Sequence, residues 1–140
     1  MSYLPHPSRD DTILAPAVPD PGIEVVCEPF LPGQLRARGG FPREGSGVDL
    51  VTVTLEPTCG AGPGDEVIEV WDDRLALRLG ALAPEDAAAV SAAVHRLGGV
   101  NRFVACLASI SGASEGGAFR IQLHTTREGI VRTAEEWWRL

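Results

Sequence analysis

The stretch PEDAAAVSAAVHRLGGVNRFVACLASIS, residues 84–111, carries two apolar patterns joined by a glycine pair, and its reading decides the fold. The first half has every local sign of a helix. Pro84 suits the first helical position, where a missing N–H costs nothing. Glu85 and Asp86 complement the positive end of the helix dipole, and His95 and Arg96 the negative end. Ala87, Val90, Val94 and Leu97 form one apolar stripe, and Gly98 stands where a C′ residue is expected. In the second half Val100, Phe103, Val104, Leu107 and Ile110 share a face at the 3.6-residue period, which fits a helix better than a strand. The reading is therefore an αα-hairpin, with helices over 84–97 and 100–111 joined at Gly98 and Gly99.

Outward from this pair the periodicity changes to two. In 23–28, Ile23, Val25 and Cys27 alternate with Glu24 and Glu28, until Pro29 ends the strand. Residues 34–38 give a short strand with Leu35 and Ala37 inward. Residues 48–56 are a β-branched run whose Val51, Val53 and Leu55 share a face. Residues 66–79 read as a hairpin, strands 67–71 and 74–79 turning at Asp72 and Asp73. On the C-terminal side, 118–125 alternates Phe119, Ile121, Leu123 and Thr125 with Arg120, Gln122 and His124. Residues 127–129 read as a turn and 130–132 as a returning strand. Thr133-Ala-Glu-Glu136 has capping-box spacing and starts a one-turn helix carrying Trp137 and Trp138. The expected fold is α+β: a mostly antiparallel sheet of about six to seven strands with the αα-hairpin packed on one face. Residues 1–22, with five prolines, form an extended or disordered arm that can lie across the domain through Ile13 and Leu14. Residues 23–140 form the single domain.

Composition narrows the function. The chain has 140 residues and a net charge of −7, with no lysine: all twelve basic side chains are arginine. Ala, Gly, Pro and Arg are abundant together, the signature of a GC-rich, bacterial genome. Residues 1–73 carry thirteen acids against four arginines, and residues 74–140 six acids against eight. The arginines are dispersed, so the concentrated basic face that phosphate binding requires is not seen, and nucleic acid is not expected as a partner. No apolar run approaches the roughly 20 residues of a membrane helix, and no secretory leader pattern opens the chain. A cytoplasmic protein without membrane contact is expected. Cys27, Cys59 and Cys106 are odd in number and unpaired in spacing, which argues against a disulfide framework or a zinc site. Cys59, in a Gly/Pro-rich loop, is the most exposed of the three by this reading.

The motifs that could carry chemistry are sparse. Gly112-Ala-Ser114-Glu-Gly116 spells G-x-S-x-G, but a nucleophile elbow sits between strand and helix, and here a helix precedes and a strand follows. Gly60, Gly62 and Gly64 form a glycine-rich loop that opens no helix, so a phosphate cradle is not expected. His6, His95 and His124 are scattered. Glu69, Asp72 and Asp73 form an acidic cluster with the oxygen chemistry of a cation site, although a turn explains it equally well. No cofactor and no metal ligands are expected.

Trp137 and Trp138 are costly to leave in water, and adjacent residues point in different directions. In one reading one of them packs on the sheet while the other is exposed or covered by a second chain, which makes Trp137, Trp138 and Arg139 the candidate partner contacts; in the other both pack against the N-terminal arm or the helices. The preferred reading is a non-enzymatic binding or accessory protein acting through protein–protein contact, as a homodimer. The alternative is a small enzyme with a cavity between sheet and helices, using His124, Arg120 and Glu135 or Glu136. A third reading makes the acidic N-terminal half a surface for a basic partner.

Overall fold

A computed structural model describes residues 12–20, 22–27, 48–58, 67–72, 77–99, 102–112 and 119–138. Seven strands and two helices lie within them: β1 (Thr12–Leu14), β2 (Ile23–Cys27), β3 (Val48–Thr58), β4 (Val67–Asp72), β5 (Leu77–Leu82), α1 (Pro84–Gly98), β6 (Phe103–Gly112), β7 (Phe119–Leu123) and α2 (Arg127–Trp138). The expected strand at 34–38, the Ser114 motif, the Gly60–Gly64 loop, His6, Cys59 and Arg139 lie outside the described residues.

The sheet is not open. Its order runs β6-β3-β4-β5-β2-β7, and β7 pairs back onto β6. Every neighbour in this six-stranded ring is antiparallel. The chain is thus α+β with a closed barrel. β1 is the extra strand, parallel to β6 through Thr12↔Phe103 to Leu14↔Ala105. β7 holds the other half of the same β6 edge, from Ala108↔Leu123 to Gly112↔Phe119. Between them His124 N–H donates to Leu107 O at 2.8 Å. There the chain leaves the barrel wall, and β1 continues it.

The stretch at 100–111 corrects the helix-hairpin expectation. Residues 103–112 are a strand, paired along β3 from Val48↔Ser111 to Leu55↔Val104. The reason is visible in the burial: Val104, Cys106, Ala108 and Ile110 are fully buried at period two. The helical face read from Val100, Phe103 and Leu107 was a coincidence of spacing. The expected second helix of the αα-hairpin is therefore replaced by a strand over 103–112.

The barrel interior is mostly apolar, filled by alternate residues such as Val53, Leu55, Ile68, Val70, Leu79 and Ile121, with Asp72 also buried. α1 leaves β5 and returns to β6, strands on opposite sides of the six-membered ring, so it crosses one barrel end. Its stripe of Ala87, Val90, Val94 and Leu97 is buried there, against β3, β4, β5 and β6. Such an end plug removes from water apolar side chains worth about 1.5–3 kcal/mol each for Val and Leu. Gly98 stays helical, and Gly99 is the cap residue.

The C-terminal segment departs from expectation too. Residues 127–138 are one helix of twelve residues, replacing the turn at 127–129, the strand at 130–132 and the capping box at Thr133. Thr126 caps it, its hydroxyl accepting from Gly129 N–H at 2.9 Å. The Thr133 hydroxyl instead donates back to Gly129 O at 2.7 Å. α2 lies across α1 and against β6 and β1. Arg127 Nε and Asp86 Oδ1 join the two helices at 2.6 Å.

β5 is also shifted from the expected hairpin: it begins at Leu77, and Asp72 ends β4 fully buried rather than forming the turn.

Candidate functional site

The two helices present matching faces. Ala89, Ala92, Ala93 and Arg96 on α1, and Val131, Ala134, Glu135 and Trp138 on α2, each follow the i, i+3, i+4, i+7 spacing that puts residues on one side of a helix. These eight residues line a groove of about 210 Å³. It exists because four of the eight are alanines: where larger side chains would fill the seam between two helices, methyl groups leave it open. Ala89, Val131 and Glu135 also border an adjoining shallow depression of about 410 Å³ with Arg127, Glu128 and Arg132. The two are continuous along the helix pair.

Aromatics close one end. Trp138 remains 37% exposed, and the Arg96 guanidinium lies over its ring, 4.1 Å from the centroid. Trp137 is half-buried and packs against the core. Arg102 stands 5.5 Å from its ring centroid. At separations under about 6 Å both pairs fall in the cation–π range. Glu135 is exposed on the groove wall.

The residues of the enzymatic alternative have different surroundings. Arg120 is on the outer surface of β7, paired with Glu24 Oε1 at 2.8 Å. His124 is not on the strand's polar face but just beyond its end, where Nδ1 donates to Val18 O at 3.3 Å. That leaves Nε2 buried without a hydrogen-bond partner. Glu135 belongs to the helix groove and Glu136 to a separate cavity at the start of α2. The other described histidine, His95, has its ring nitrogens 3.0 Å from Ser91 O and 3.4 Å from Thr58 O.

The acidic cluster is divided by the pleat. Ile68, Val70 and Asp72 face the interior, whereas Glu69 faces the other way, where it pairs with Arg78 at 2.7 Å and accepts from Trp71 Nε1 at 3.3 Å. Asp73 lies outside the described residues. Among the described residues no three His, Cys, Asp or Glu side chains gather to hold a metal ion, and no helix is long and apolar enough to cross a membrane. Burial pushes the Cys106 thiol up to about 12. Cys27, half-buried, is raised too, first by burial and then by the charge of Glu24.

Arg96, Val131 and the alanines of the groove escaped the sequence reading. On α1 the repeat Ala89, Ala92, Ala93, Arg96 was present beside the buried stripe, but its partner repeat on α2 was hidden while 127–132 was read as turn and strand. Comparison with protein-family models, with curated proteins and with solved structures finds no match.

Proposed function

We propose that this chain is a binding protein without chemistry of its own, and that it self-associates through the α1–α2 face. The observation that carries this reading is Trp138, exposed and stacked under Arg96 at the mouth of an alanine-floored groove. Trp and Arg dominate the energetically important centres of interfaces, and small residues let a second surface approach closely. Glu135 and Arg96 on the same face suit a two-fold contact, in which each charge of one copy meets the opposite charge of the other. The enzymatic alternative has less support, since His124, Arg120 and Glu135 each have different neighbours.

Light scattering on the purified chain tests the reading. The expected particle is twice the 14.8 kDa chain mass, and Ala92→Glu, which sets a charge on the groove floor, returns it to a monomer with an unaltered circular dichroism spectrum. A wild-type chain that stays monomeric throughout the micromolar range overturns self-association.

A further inference from the structure

The two helices of the groove run side by side in the same direction. Arg127 reaches Asp86 at their first turns, 2.6 Å apart, and Arg96 lies on Trp138 at their last turns, 4.1 Å from the ring centroid. One end of the face therefore carries both positive dipole ends and the other both negative ones. We infer that the second copy lies antiparallel across this face, with Trp138 of each copy seated in the depression beside Ala89 and Val131 of the other. This rests on self-association through α1 and α2, and adds the orientation of the copies and the seat of the anchoring side chain.

A two-fold axis in the plane of contact can run along the helices or across them. Along them, like dipole ends meet, and the Arg96–Trp138 stacks of the two copies crowd together. Across them, each dipole end meets its opposite, and attraction replaces repulsion. The side-chain charges make the same choice. Arg96 makes no ion pair among the described residues. At the far end of the face Arg127 is engaged by Asp86, while Glu128, Glu135 and Arg132 border the depression and are exposed. Two carboxylates against one uncommitted guanidinium leave a negative rim, which suits an arriving Arg96.

The spacing and the volume agree with this orientation. Ala89 and Arg96 are seven residues apart, about 10 Å along the helix. Trp138 lies level with Arg96. An antiparallel copy centred on Ala92 and Ala93 therefore brings its Trp138 over Ala89. The depression there holds about 410 Å³, and a cavity of about 150 Å³ is enough for benzene, so an indole has room. Its floor is the Ala89 methyl and half-buried Val131. Arg132 on the rim can cover the ring face that Arg96 leaves free. Trp138, 37% exposed in the single chain, would lose its remaining contact with water.

Sedimentation equilibrium of the full chain tests the seat by moving volume between copies. Trp138→Ala removes the inserted ring, and Ala89→Phe fills the seat. Both positions are exposed, so both variants are expected to melt as wild type does. Each alone is expected to dimerise at least about tenfold more weakly than wild type. An equimolar mixture of the two is expected to recover most of that loss. Trp138 of the Ala89→Phe chain then enters the open seat of the Trp138→Ala chain, and the added phenyl ring occupies the space of the missing indole. Ala89→Leu, a good helix former, is expected to give the same pattern more weakly and serves if the phenylalanine variant melts lower. A dimeric wild type whose mixed variants associate no better than each alone overturns the antiparallel seat and leaves self-association standing. So does either single variant that dimerises as tightly as wild type. A monomeric wild type overturns both.

Discussion

Gly80 pairs with Val70 on one side and Cys27 on the other, beside the register shift between Val70 and Trp71. A Cβ at this position would stand 2.1 Å from Val26 O and 2.9 Å from Cys27 Cα. Backbone cannot yield there without separating β2 from β5. Gly80→Ala is expected to cost about 3 kcal/mol, at the upper end of overpacking effects, read as a lowered urea midpoint. Cys106 makes a different kind of claim. Its thiol is raised from 9.0 to about 12 by burial, so the folded state holds a proton that the unfolded chain releases first. The stability this contributes is complete below pH 9 and is lost as pH rises toward about 12. The loss is about 1.4 kcal/mol per pH unit within that window. Urea unfolding at several alkaline pH values is expected to show this slope in wild type and a smaller one in Cys106→Ala. The same thiol is expected to stay unreactive toward disulfide reagents until the protein unfolds.

Among elements, α1 and α2 define the end of the barrel. Leu97, 1% exposed in the end plug, has no route to collapse if shortened, and Leu97→Ala is expected to cost about 3 kcal/mol by thermal melting. Thr126→Ala removes only a cap and is expected to cost about 1 kcal/mol. The contrast checks that α1 is held by burial while the start of α2 is held by one hydrogen bond. α1 was legible in the sequence because Pro84, its charged ends and a strongly apolar stripe agree. β6 was not, because its buried set includes Cys106 and Ala108, whose weak apolarity blurs the period-two alternation, while Phe103 and Leu107 complete a false helical face. α2 was obscured by Gly129, which reads as a turn when it is in fact the third helical residue, and by β-branched Ile130 and Val131, which read as strand. Its true stripe is Ile130, Thr133, Ala134 and Trp137, with a threonine where a pattern search expects an apolar side chain. The groove was lost with it, since a face cannot be assigned to a helix that has not been recognised. Trp137 and Trp138 were legible as a pair in different surroundings because adjacent helical residues diverge by about 100°.

For the whole molecule, β1 is the feature with the largest reach. It is only three residues long, yet its segment ties several parts together: Ala15 N–H donates to Ala105 O at 2.8 Å, and Val18 N–H donates to His124 O at 3.0 Å. Ala15 itself is buried in the core cluster. Deleting residues 1–16 is expected to cost roughly 2–4 kcal/mol, from a few hydrogen bonds and the lost burial. The deletion also bares the edge of β6 at 103–105, so the truncated chain is expected to aggregate on partial denaturation, measured by turbidity beside the urea curve. A truncated chain as stable as the full one would show that the segment merely rests on the barrel.

The shared edge of β6 also sets an order of events during synthesis. Its neighbours on that side come from residues 12–14 and 119–123, the first and last strands of the described chain. β2 likewise has no partner on one flank until Ile121–Leu123 has emerged. A ribosome that has translated only the first hundred residues therefore holds strands that cannot form a ring, with an apolar interior facing water. Closure waits until residues 119–123 have been made. The nascent chain is expected to need shelter until then, because contacts so far apart in sequence form late and slowly.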